Sequence, residues 1–138
     1  MTTETDRRIG SEHVSMQPSE YEILTAFVLQ STKLEAPINF PADEIKFAQG
    51  IEAASENAPF LGRFLEEGRL TVSAQGNIRK LLTEGILVRD DEIYRMTLDK
   101  TILDHLTSQV RMVFKEQGVT ALIEAVSSAQ KSWSESEA

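Results

Sequence analysis

Apolar residues recur at helical spacing in six stretches of this 138-residue chain, and strand-like runs break that rhythm late in its middle third. Ser19 as N-cap with Glu22 three residues on forms a capping box, and Ile23, Leu24, Phe27 and Val28 give the first helix a buried side as far as about Gln30. Pro37 and Pro41 make residues 31–40 an extended connector. Within it Ile38 and Phe40 alternate with polar neighbours, as a short third strand beside a later hairpin would. Pro41 at a first helical position, with Asp43 and Glu44 in the first turn, opens a second helix. Ile45, Ala48 and Ile51 mark its inner face, and it ends near Ser55.

The stretch Leu61 to Met96 organises the rest. Phe60, Leu61, Phe64 and Leu65 recur at i, i+1, i+4 and i+5, which predicts a short helix capped by Asn57 and closed by Gly68 as its C′ residue. After the connector Arg69 to Val72, Ser73 is a plausible N-cap for a further helix with Ala74, Ile78, Leu81 and Leu82 on its buried side. Gly85 closes that helix. Ile86 to Arg89 and Glu92 to Met96 are β-rich runs joined at Asp90-Asp91, enough for a hairpin. Thr97 then caps a long helix through about Gln117 with Leu103, Leu106, Val110 and Val113 at spacings of three and four. Gly118 breaks it, and a last helix runs from Val119 to Trp133.

The order helix, turn, helix, hairpin resembles the winged helix-turn-helix superfamily, in the general manner of MarR-like or TrmB-like regulators. The residues that carry the likeness are Ser73, Gln75, Gly76, Asn77 and Ile78, then Leu82, Gly85, Ile86 and Arg89, with the leucine-to-glycine gap one residue shorter than usual. The resemblance covers about a quarter of the chain. It implies a mainly α fold with a small β-hairpin, in which helices flank the winged motif on both sides. It also implies that the second helix of the motif sits in the major groove of duplex DNA while the hairpin touches the flanking backbone. The expected organisation is a disordered tail over 1–17, a winged helix-turn-helix domain over 18–97, a C-terminal helical oligomerisation or interaction element over 98–133, and a tail over 134–138.

Composition changes this picture in two ways. Without cysteine there is no thiolate metal site and no disulfide framework. No apolar run approaches the roughly 18 residues of a membrane span, and the N-terminus lacks the apolar core of a secretory signal, so a cytoplasmic or nuclear setting is expected. Net charge is −8, unevenly spread. Residues 1–57 carry four basic and ten acidic side chains (−6), residues 58–115 nine and eight (+1), and residues 116–138 one and four (−3). The candidate DNA-reading segment is the only part that is not acidic.

Gln75, Asn77, Arg79 and Lys80 are residue types that read base edges and phosphates; Ser73 and Gly76 lie among them, and Arg89 and Arg95 sit in the two arms of the hairpin. The plain alternative is that this is the solvated face of a helix. Asp90, Asp91 and Glu92 at the hairpin tip would be repelled by a phosphate backbone, so either the tip points away from DNA or the motif contacts protein instead. Leu103, Leu106, Val110, Val113 and Phe114, with Trp133 beyond them, make a stripe suited to a homodimer or partner helix, or to the chain's own core. His13 and His105 are far apart and join no acid-base or ligand set, so no catalytic residue, cofactor or metal is expected. Two functions remain: a homodimeric DNA-binding transcriptional regulator, or an acidic winged-helix subunit of a larger transcription, chromatin, chromosome-segregation or trafficking complex.

Overall fold

The computed structural model describes residues 18–34 and 39–137. The chain is mainly helical with a small antiparallel sheet. Five helices, α1 (Glu20–Leu29), α2 (Glu44–Ala54), α3 (Val72–Thr83), α4 (Lys100–Val113) and α5 (Glu116–Glu137), alternate with the short strands β1 (Phe40–Pro41), β2 (Leu65–Glu66), β3 (Arg69–Leu70), β4 (Leu87–Asp90) and β5 (Ile93–Met96). Single 3₁₀ segments follow α1 (Gln30–Lys33) and precede β2 (Pro59–Phe64). β4 and β5 form a hairpin, and β1 adds to the outer side of β5 with Phe40 opposite Tyr94.

Local signals set several boundaries. Both halves of the Ser19–Glu22 capping box form, at 3.1 and 2.8 Å. α3 ends in a Schellman motif, in which Gly85 N–H donates to the Leu82 carbonyl and Ile86 N–H to that of Leu81. Gly85 takes φ +76°, the left-handed conformation that the motif requires.

Elsewhere tertiary structure overrides the pattern. The helix expected from Phe60 is a 3₁₀ segment that runs into a miniature hairpin, with Leu65 opposite Leu70. Gly68 is no helix terminator: Glu67 and Gly68 both have positive φ and make the two-residue turn of that hairpin. Asn57 caps nothing there, because its side-chain oxygen accepts from the Ser128 hydroxyl at 3.2 Å. Because β3 ends at Leu70, Thr71 rather than Ser73 caps α3, accepting from Ala74 N–H. Pro41 belongs to β1 and Asp43 caps α2, while Ile45 is exposed and Phe47 takes the inner place beside Ala48 and Ile51. Asp99, not Thr97, caps α4.

α4 stops at Val113 rather than at Gln117, because Phe114 turns extended and packs its ring 6.3 Å from that of Phe60; α5 then runs through Gly118 unbroken. It also continues helical to Glu137, across the tail expected over 134–138. Ile38 and the tail expected over 1–17 lie outside the described residues.

The core joins all these elements. α5 packs along α2, and α4 packs on α1. Near the end of α5, Trp133 enters a cluster with Phe40, Phe47 and, through Phe40, Phe27; its ring meets Phe40 edge-on at 5.6 Å. Its indole N–H donates to the Lys46 carbonyl at 2.7 Å. The segment expected to be a separate interaction element is therefore anchored into the same core as the first three helices. Among the described residues no helix is long and apolar enough to cross a membrane.

Candidate nucleic-acid interface

α3 buries Ala74, Ile78 and Leu81, a spacing of four and three that leaves the other side of the helix to solvent. The candidate reading residues lie on and around that outer side, but they do not act as one face. Ser73 donates its hydroxyl to Glu20 Oε1 at 2.9 Å, and the other oxygen of that carboxylate lies 3.9 Å from the Arg63 guanidinium. Gln75 donates its amide to Glu44 Oε1 at 3.3 Å and to the Leu70 carbonyl, while Arg69 approaches the same carboxylate at 4.0 Å. Two glutamates thus hold the first turn of α3, each bridging one polar side chain of the helix and one arginine.

The next turn is less engaged. Gly76 is open enough that an added Cβ would meet only the Arg79 guanidinium, at 3.9 Å. Asn77 is half-buried and Arg79 exposed; among the described residues neither makes a side-chain hydrogen bond or ion pair. Lys80 points toward α1, where its ammonium sits 4.2 Å from the centre of the Tyr21 ring. Tyr21 donates its hydroxyl to Glu84 Oε2 at 2.8 Å. Burial of the phenol, followed by the neighbouring Glu84 carboxylate, pushes the Tyr21 pKa well up, so the phenol stays a donor at any physiological pH.

The hairpin divides its two arginines. Side chains alternate across a strand, so residues paired across the ladder share a face. Arg89 is level with the buried Tyr94 and its guanidinium lies 5.9 Å from that ring, whereas Arg95 is level with Val88 on the opposite face and approaches Asp90 at 4.0 Å. Arg89 also donates to the Asp91 carbonyl. Arg79 borders the same small hollow as Tyr94, so Arg79 and Arg89 flank one tyrosine while Lys80 and Arg95 face elsewhere. The tip, Asp91 and Glu92 with Asp90 at its base, is exposed.

The apolar stripe of the C-terminal helices is mostly consumed within the chain. Leu106, Val110, Val113, Phe114 and Trp133 are all buried and Leu103 is half-buried. Among the described residues no group of three His, Asp or Glu side chains is placed to hold a metal ion. Sequence reasoning passed over Glu20, Glu44, Arg63 and Arg69, the groups that fix the first turn of α3. The chain matches no protein-family model, and no characterised protein or solved structure is significantly similar to it.

Proposed function

We propose that this chain is a winged helix-turn-helix protein that binds duplex DNA and acts as a homodimeric transcriptional regulator. The observation that carries the reading is the order of elements. Helix, strand, helix, a 3₁₀ segment with a miniature hairpin, helix and hairpin follow one another, β1 pairs with the second strand of the last hairpin, and the helix just before it presents Arg79 outward with half-buried Asn77 beside it. In this reading α2 and α3 serve as the two helices of the motif, residues 55–71 are an enlarged turn between them, and α3 packs chiefly on α1. The basic group of the hairpin that shares the Tyr94 side with Arg79 is Arg89. Of the stripe expected to build a dimer, only half-buried Leu103 on α4 retains apolar surface for a partner.

The test is fluorescence anisotropy with labelled duplex DNA across a salt series. Arg79 and Arg89 in each chain, four cationic groups per dimer, give a log K against log salt slope of about −4. Flat or undetectable binding at low salt refutes the reading.

One set of contacts favours the second reading, an acidic winged-helix subunit that docks on protein. The Glu20 and Glu44 carboxylates occupy polar groups that a DNA reader would offer to phosphates, and three acids crowd the hairpin tip. Size-exclusion chromatography with light scattering separates the two: a self-contained dimer supports the regulator, and a monomer that shows no DNA binding supports the subunit.

A further inference from the structure

A cavity of about 430 Å³ opens between α1, the end of α3 and α4, within the size range of small-molecule sites. Its floor is apolar, built from Ile86, Ile102, Leu106, Val110, Val113 and Phe114. The mouth is acidic. Glu22 and Glu84 stand on it with Tyr21 between them in the fold, the Tyr21 hydroxyl fixing the position of the Glu84 carboxylate at 2.8 Å. One Glu22 oxygen is engaged by the Ser19 N–H of the capping box, and both acids are exposed. The other ionisable groups here are His105 on the rim and Lys80, whose ammonium already rests over the Tyr21 ring.

We propose that this cavity binds a small amphipathic cation, an aliphatic or aromatic body carrying one ammonium group. The floor takes the apolar body, since it removes hydrocarbon from water without leaving polar groups unpaired. The ammonium stays at the mouth, where Glu22 and Glu84 are its counter-charges. An anion of the same shape meets two carboxylates instead, and a neutral alcohol gains only the floor. The Lys80 ammonium already covers one face of the Tyr21 ring, so the ligand's ammonium is held by the two carboxylates rather than by that ring.

Isothermal titration calorimetry of the full chain with octylammonium, octanoate and 1-octanol, each below its aggregation limit, tests this. Octylammonium binds one per chain and at least tenfold more tightly than octanoate. The Glu22→Gln/Glu84→Gln variant loses that preference and keeps its affinity for octanol. Glutamine still completes the capping box at residue 22, so the variant folds, which its circular dichroism verifies. Amide shifts on octylammonium binding fall on α1, α4 and residues 84–86. Equal affinity for the ammonium and the carboxylate, unchanged octylammonium affinity in the variant, shifts elsewhere, or no binding each overturn the proposal. None of these measurements involves DNA, so the result stands apart from the reading of α3.

Discussion

Replacing Gly50 with alanine tests whether the last turns of α5 are built into the core or merely rest on it. Gly50 lies on the buried side of α2, directly under the Trp133 indole, and an added Cβ would fall within 3.0 Å of Cε2, Cζ2 and Nε1 of that ring. The backbone of a helix does not yield, so the indole moves. Doing so breaks the 2.7 Å bond to the Lys46 carbonyl, which costs about 1–3 kcal/mol for a buried donor left unmade. It also disturbs the edge-on contact with Phe40 and the tilted one with Phe47, about 0.5–1.5 kcal/mol per aromatic pair. Against this, alanine gains about 1 kcal/mol over glycine inside a helix. The net loss for Gly50→Ala is about 1–5 kcal/mol, and Trp133→Ala alone loses about 3–5 kcal/mol as a buried large-to-small change. In the Trp133→Ala background the obstacle is gone. There Gly50→Ala becomes neutral or stabilises by up to about 1 kcal/mol, a sign change that only direct contact produces. Urea unfolding followed by far-UV circular dichroism measures all four proteins. Additive effects, with Gly50→Ala equally harmful in both backgrounds, refute the placement of Trp133 over α2.

Three further outcomes follow. Arg79→Ala weakens duplex binding about tenfold in anisotropy, as loss of a base or phosphate contact does, while Arg95→Ala, on the far face of the hairpin, changes it less than about twofold; equal effects contradict the division of the two arginines. Glu20→Gln and Glu44→Gln each keep a hydrogen-bond acceptor for Ser73 or Gln75 but remove a charge beside α3, so each tightens DNA binding about threefold at low salt and the gain fades as salt rises. Gly85→Ala forces a side chain into a left-handed residue and costs about 1–2 kcal/mol in chemical denaturation, with no change in DNA contacts.

The parts of the fold that are legible in the sequence are those decided within four residues. The Ser19–Glu22 box and the Gly85 terminus depend on contacts along one helix end, and both stand where the pattern puts them. Phe40 as a third strand beside the hairpin is a longer inference that holds because its burial and the hairpin's open edge demand the same pairing. The miniature hairpin is different. Phe60, Leu61 and Phe64 point inward at a spacing that α-helix, 3₁₀ turn and strand all satisfy over so few residues, and Glu67-Gly68 serves equally as a helix end or a two-residue turn. What decides is the pairing of Leu65 with Leu70 and the bond from Thr71 N–H to the Phe64 carbonyl. Similarly, nothing local marks Phe114 as the end of α4; its partner, Phe60, lies 54 residues earlier in the chain.

The candidate site is less legible, for a reason that bears on how charge is weighed. The surplus of acid before residue 58 counts against DNA as a sum, yet its two members nearest α3 have a structural place of their own. Glu20 and Glu44 are each the first residue of a helix, where an acid is favoured by the exposed N–H groups and the helix dipole. Folding brings those two helix starts against the first turn of α3, so the same carboxylates that stabilise α1 and α2 also neutralise Arg63 and Arg69 and hold Ser73 and Gln75. Their charge is felt by a phosphate backbone over about a Debye length, but their pairing is confined to that first turn. It leaves Asn77 and Arg79 one turn further on, beside the Tyr94 that Arg89 also flanks. The proposed contact with DNA is therefore centred on residues 76–79 and on Arg89 of β4 rather than on the helix N-terminus. That displacement is why glutamine at positions 20 and 44 is expected to tighten binding while leaving its sequence preference unchanged.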